Sequence, residues 1–331
     1  MSTIAYSSSN IRNSRCIRQL FLTMMAVVAP GIASGAAETG CPRVADLALA
    51  ACRFAASDDY FTAAGVCENL PETQDRLECA REARETRRED LQTCAEQHDA
   101  RLELCALLGE NRYAPEFDPA DFVDPDDIGD TVAPNPYFPL IAGNEWVYET
   151  GEQVNRVVVT DKVKNIDGVL CRVVQDVVSI NGAPLEDTND WVAQDVAGNI
   201  WYCGEESKDY VIYAGDIPQE PELVSIDGSF KAGRDGALPG ILMLAAPVVG
   251  DAYRQEFDLG NAEDAAEIIS LTATETVPAA GCTGSCLVSR EFSPLEQGTE
   301  EMKYYAPSIG LILVVADDGT REELVSFTPG D

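Results

Sequence analysis

Residues 156–194 read RVVVTDKVKNIDGVLCRVVQDVVSINGAPLEDTNDWVAQ. Val and Ile dominate Arg156–Val163 and Val169–Ile180, and such β-branched side chains pack well on a pleated sheet. The pairs Asp167-Gly168 and Asn181-Gly182 bound these runs. Both pairs tolerate positive φ, so each predicts the tight turn of a hairpin. Working outward, strands are expected at Trp146–Glu149, Trp191–Gln194, Ile200–Cys203 and Tyr210–Tyr213. Further strands are expected at Tyr253–Phe257, Cys286–Phe292, Met302–Tyr305, Leu311–Val315 and Glu323–Phe327, with turns at Ala197-Gly198-Asn199 and Asp318-Gly319. Ala262–Leu271 suits either a short helix or a strand. Ten or so strands joined by tight turns predict an antiparallel β meander over residues 138–331, as a curved sheet or a barrel.

The chain ahead of this domain has another composition. Residues 37–112 hold almost no Gly and are rich in Ala, Glu, Arg, Leu and Gln, which favour helix. One helix is expected from near Pro71 to about Leu108, stopped by Gly109. Leu91, Cys94, His98, Leu102 and Cys105 supply its buried stripe. An earlier helix is expected over Val44–Ala56, with Ser57-Asp58-Asp59 capping a second short one. The fold class is therefore α+β. Residues 113–137 carry five prolines and seven acids, which favour an extended acidic connector. Asp124 to Asp130 superficially resembles a calcium loop, but Ile128 and Asn135 stand where ligands are needed.

The first 36 residues have the order of a signal peptide. Arg12, Arg15 and Arg18 precede an apolar run, Leu20–Val28, and then the small residues Ala33 to Ala37. The run is too short to span a bilayer. The expected mature protein is secreted or periplasmic, without membrane insertion. Losing three arginines and no acid would take 23 basic against 57 acidic residues, net −34, to 20 against 57, or −37. Such a charge excludes sequence-independent binding to nucleic acid, and it can simply keep an exported protein soluble.

Setting Cys16 aside with the signal leaves ten cysteines, an even number suited to an oxidising compartment. Cys41, Cys52, Cys67, Cys79, Cys94 and Cys105 are separated by 10, 14, 11, 14 and 10 residues, nearly symmetric about the middle. These spacings suit helical hairpins stapled by disulfides, with the pairing left open among 15 possibilities. Zinc sites usually place paired ligands two to four residues apart, unlike these six. Cys171 and Cys203 lie in neighbouring hairpins and suit one bridge. Cys282 and Cys286 suit a locally closed second bridge.

Several phrases in the second half carry a resemblance. They are Asn135 to Leu140, Gly143 to Tyr148, Asp190 to Asp195, Gly198 to Tyr202, Gly204-Glu205, Tyr253 to Glu256, Ala262 to Asp264 and Lys303 to Pro307. Across about residues 135–327 they resemble a group of uncharacterised secreted bacterial proteins. The resemblance implies no activity, and it implies a bulky apolar or aromatic residue where Cys203 stands.

Catalytic motifs are scarce. The single histidine, His98, sits in the helical part, and no Gly-x-Ser-x-Gly elbow or phosphate loop is present. The candidate ligand or metal residues are Asp190, Asp195, Glu205, Glu256, Trp191, Trp201 and Tyr202. A Gln194–Glu206 hairpin would bring Asp195 near Tyr202 and Glu205. Converging acids would invite Ca²⁺ or raise a pKa, whereas alternation along strands would splay them apart. The expected function is an exported non-catalytic protein binding a small ligand or a protein partner. The alternatives are a carboxylate-based hydrolase of glycans and a calcium-stabilised structural protein.

Overall fold

The computed structural model describes residues 40–109 and 111–330. The expected signal peptide, residues 1–36, lies outside the described residues. Two antiparallel helices come first: α1, Gly40–Glu68, and α2, Thr73–Leu108. Cys41–Cys105, Cys52–Cys94 and Cys67–Cys79 join them. The near-palindromic cysteine intervals thus become a nested ladder, from the open end of the hairpin to its turn. α1 corrects one expectation, since it runs unbroken through Ser57. The Ser57 hydroxyl donates back to the Arg53 carbonyl at 2.9 Å, so it serves a continuing helix and caps none.

The second part is a meander of long antiparallel strands. The first five are β1 (Glu145–Thr150), β2 (Gln153–Ile166), β3 (Val169–Ile180), β4 (Ala183–Gln194) and β5 (Ile200–Glu206). Asp167-Gly168 and Asn181-Gly182 turn with positive φ at all four residues, as two-residue hairpins require. Six short strands follow: β6 (Asp209–Val211), β7 (Glu222–Ser225), β8 (Phe230–Lys231), β9 (Leu238–Met243), β10 (Ala252–Arg254) and β11 (Glu256–Phe257). The last five are β12 (Ala265–Val277), β13 (Ala280–Ser293), β14 (Glu296–Ala306), β15 (Gly310–Ala316) and β16 (Arg321–Thr328). The ambiguous stretch at Ala262–Leu271 is therefore mostly strand.

The strand order is β10-β12-β13-β14-β15-β16-β1-β2-β3-β4-β5-β9-β11. Its two ends, β10 and β11, are separated in the chain only by Gln255. The sheet must therefore curl until its ends meet, and it forms a nearly closed barrel. Gly240 of β9 lies against this seam, where a Cβ would collide with the Gln255 carbonyl. Closure leaves few free strand edges.

Alternation along the strands sorts residues between two cores. The inner core includes Trp146, Tyr148, Val159, Val174, Val192, Tyr202, Leu287 and Leu313. The outer one covers β3 to β5 with Ile166, Val169, Cys171, Val173, Trp191, Ala193 and Cys203. Cys171–Cys203 bridges β3 to β5 across β4, and Cys282–Cys286 closes within β13. All ten candidate cysteines are paired.

The acidic segment 113–137 packs on the barrel, with Ile128 and Tyr137 joining the inner core. Phe117 and Phe122 pack on the outer core, and Val123 N–H donates to the Gln194 carbonyl. Arg172, itself buried, pairs with Asp126 at 2.8 Å. Asp124 accepts from the Asp126 N–H, so these acids serve turns and an ion pair. α2 docks on the barrel through Arg101 and Glu263, both buried and paired at 2.6 Å.

Candidate functional site

The barrel encloses a cavity of about 320 Å³. The inward residues of β4 are Glu186, Thr188, Asp190 and Val192, every second position, as the pleat demands. β1, β2 and β3 add Trp146, Tyr148, Val157, Val159, Val174 and Asp176, and β14 adds Lys303 and Tyr305. One end of the cavity is thus apolar. The other end adjoins an outer space of about 450 Å³ that also touches Asp209, Asp227, Glu296 and Glu301. Glu186, Glu205, Glu256, Asp264, Glu291 and Lys303 line both spaces.

β5 departs from strict alternation, and the departure builds the site. Val192 pairs with Tyr202, Trp191 with Gly204, and Asp190 with Glu205, so the register slips by one residue. Gly204 has φ +129°, and a Cβ there would meet the Phe230 carbonyl. The bulge gives two residues of β5 to one step of β4. Tyr202 and Glu205, three apart, therefore both face inward, while Cys203 faces the outer core.

Asp190, Tyr202 and Glu205 form one cluster. The Tyr202 hydroxyl lies 2.5 Å from Asp190 Oδ1 and 2.8 Å from Glu205 Oε2. A phenol has one hydrogen to donate. It donates to one carboxylate, and the other carboxyl must carry a proton to form the second bond. Burial first, and then the charge of Glu205, push Asp190 up to about 8. Glu205 is pushed up to about 7 by burial and by the charges of Glu186, Asp264 and Asp176, against the Tyr202 hydrogen bond. The pair therefore holds a shared proton near neutrality.

The neighbouring acids follow the same physics. Glu256 is held well above the ordinary carboxyl range by burial, then by Asp264, Glu205 and Asp190. Asp176 is raised by burial, then by Asp190, Glu186 and Glu322. These side chains line the cavity. Glu291 behaves oppositely. Burial would raise it, yet Lys303 at 2.8 Å and hydrogen bonds from Lys303, Gln255 and Ser289 hold it below the usual range.

Of the seven candidate residues read from sequence, Asp190, Glu205, Glu256 and Tyr202 come together in the barrel. Three do not. Asp195 spends its carboxylate on the Ala197 and Asn199 N–H groups, the Asn199 side chain and Trp201 Nε1, which closes the β4–β5 turn. Trp201 packs with Phe117 and Phe122 outside. Trp191 lies in the outer core beneath Lys164, whose ammonium is 3.5 Å from the ring centroid. The sequence reading missed Asp176, Asp264, Glu291 and Lys303, because strands far apart in the chain bring them inside.

Among the described residues, no three His, Cys, Asp or Glu side chains form a group that could hold a metal ion. Several acids instead have their own donors: Glu186 in Thr188, Asp264 in Ser293 and Glu291 in Tyr305. Comparison with family models, curated proteins and solved structures returned no match.

Proposed function

We propose that this chain is an exported, non-catalytic binding protein that holds a small organic ligand inside its barrel. The observation that carries the reading is the cavity itself, apolar at one end and lined by carboxyls at the other. Ligand sites commonly combine an apolar pocket of about 300–1,000 Å³ with a few convergent polar groups. Export is supported by the N-terminal order of basic, apolar and small residues and by five disulfides. No helix among the described residues is long and apolar enough to cross a membrane. The glycan-hydrolase reading is less favoured. Asp190 and Glu205 both engage the Tyr202 hydroxyl and share a proton, so neither stands free as a separate acid or nucleophile.

The test is titration with phenylnaphthylamine, a neutral apolar dye that brightens when desolvated. The native barrel is expected to bind it, and Val157→Trp, which fills the cavity from its wall, to abolish binding. No brightening with the native protein, or equal brightening with the filled variant, would sink the reading.

A further inference from the structure

We infer that the ligand held in this cavity is an organic ammonium ion carried on an apolar body. The inference rests on the binding reading above and names its ligand class. Glu256 carries it. Its carboxyl lies within the barrel and faces both the cavity and the acidic outer space. Yet no side chain among the described residues donates a hydrogen bond to it, and its surroundings are dominated by like charges. The other inward acids have hydrogen-bond partners: Asp190 and Glu205 in Tyr202, Glu291 in Lys303, Asp176 in Asn155. Glu256 is half-buried and open to the cavity, so a ligand there can give it a donor without displacing a protein partner.

The chemistry of that donor follows from its neighbours. Glu256 is acted on by Asp264, Glu205 and Asp190 against the single cation Lys303. Lys303 is already paired with Glu291, so the balance disfavours an anionic ligand. A divalent cation lacks a ligating group of three among the described residues. An ammonium has three donors and no acceptor, which matches several carboxyl oxygens around a Glu256 that lacks a donor. At the other end, Val157, Val159, Val174 and Leu311 offer only apolar contact, so the cation needs an apolar body. The acids Asp209, Asp227, Glu296 and Glu301 around the outer space would concentrate cations there. Binding also has a proton signature. An ammonium beside the Asp190–Glu205 pair favours its fully ionised form, so the shared proton is released on binding.

The experiment is calorimetric titration of the purified mature chain near neutral pH, with phenethylamine and with phenethyl alcohol, which share one skeleton. The amine is expected to bind at least about tenfold tighter, a difference of about 1.4 kcal/mol. Its heat should differ between phosphate and Tris buffers, reporting proton release. Glu256→Gln should remove the amine's advantage and leave the alcohol unchanged. Three results would each overturn the ammonium class while leaving the cavity reading intact: equal affinity for the two probes, no amine binding where the dye still binds, or an undiminished advantage in Glu256→Gln. Failure of the dye and both probes would end both readings. Should Glu256→Gln not fold, the two probes and the buffer dependence with the native chain decide the matter.

Discussion

The helical hairpin and the barrel solve the problem of stability in opposite ways. The hairpin buries mostly small residues, Ala45, Ala48, Ala56 and Ala83, with Leu104 as its one large buried aliphatic. Phe54 and Phe61 of α1 are 78% and 69% exposed. Two helices with so little core cannot offset their chain entropy by burial alone, and three disulfides close the gap. The barrel has apolar surface to spare. It can leave its centre hollow and line it with acids whose ionisation opposes folding. Three of the five disulfides therefore staple the part that lacks a core, and raised carboxyl pKa values mark the part that has one in excess.

The largest expected effect tests the hairpin's side of this contrast. Replacing Cys41, Cys52, Cys67, Cys79, Cys94 and Cys105 by Ser removes three loop closures, together roughly 10 kcal/mol. The far-ultraviolet helix signal should collapse. The fluorescence of Trp146, Trp191 and Trp201, all in the barrel, should keep its folded value. Loss of both signals together would mean that the barrel depends on the hairpin.

The junction between the two parts comes next. Arg101→Ala strands Glu263 in a buried position, at a cost of about 3–5 kcal/mol. Chemical denaturation should show this loss and a separation of the helix and tryptophan transitions. A cost under about 1 kcal/mol would mean that the ion pair does not hold the two parts together.

A third prediction sharpens the barrel's side. Asp190 and Glu205 have folded pKa values above those of the unfolded chain, so the folded state binds more protons between the ordinary carboxyl range and about 8. Stability should therefore fall as pH rises through that window. Asp190→Asn should raise the melting temperature near pH 8, by a stability gain on the order of a few kcal/mol, and leave it nearly unchanged near pH 4. A gain independent of pH would rule out the titration as its source. Glu291 runs the other way. Its depressed pKa gives stability that is present above the ordinary carboxyl range and lost as pH falls through the folded value.

The smallest effect concerns the outer face. Lys164→Met removes the ammonium above Trp191, worth about 0.5–1 kcal/mol. It should not alter dye binding inside the barrel, and a change there would show that the two faces of β4 are coupled.

Much of the architecture was legible because its signals are local. Asp167-Gly168 and Asn181-Gly182 need only their own backbone preferences to make turns. The mirrored cysteine intervals left the pairing open among 15 possibilities, and the antiparallel docking of the two helices selected the nested one. Ser57-Asp58-Asp59 misled as a cap signal because the Ser57 hydroxyl bonds within the helix. Asp195 and Trp201 misled because acid and aromatic neighbours look alike whether they line a cavity or lock a turn.

By itself, then, the sequence determined the two-part α+β plan, the meander, the hairpin turns and the cysteines available for pairing, all written in neighbouring residues or fixed intervals. Tertiary structure alone decided which acids meet. The bulge at Gly204 turns both Tyr202 and Glu205 inward, and closure at Gln255 carries Glu256 and Asp264 across the barrel to Asp190. A one-residue slip in register moves a side chain through the sheet. No local pattern can therefore say on which side a given carboxylate will stand.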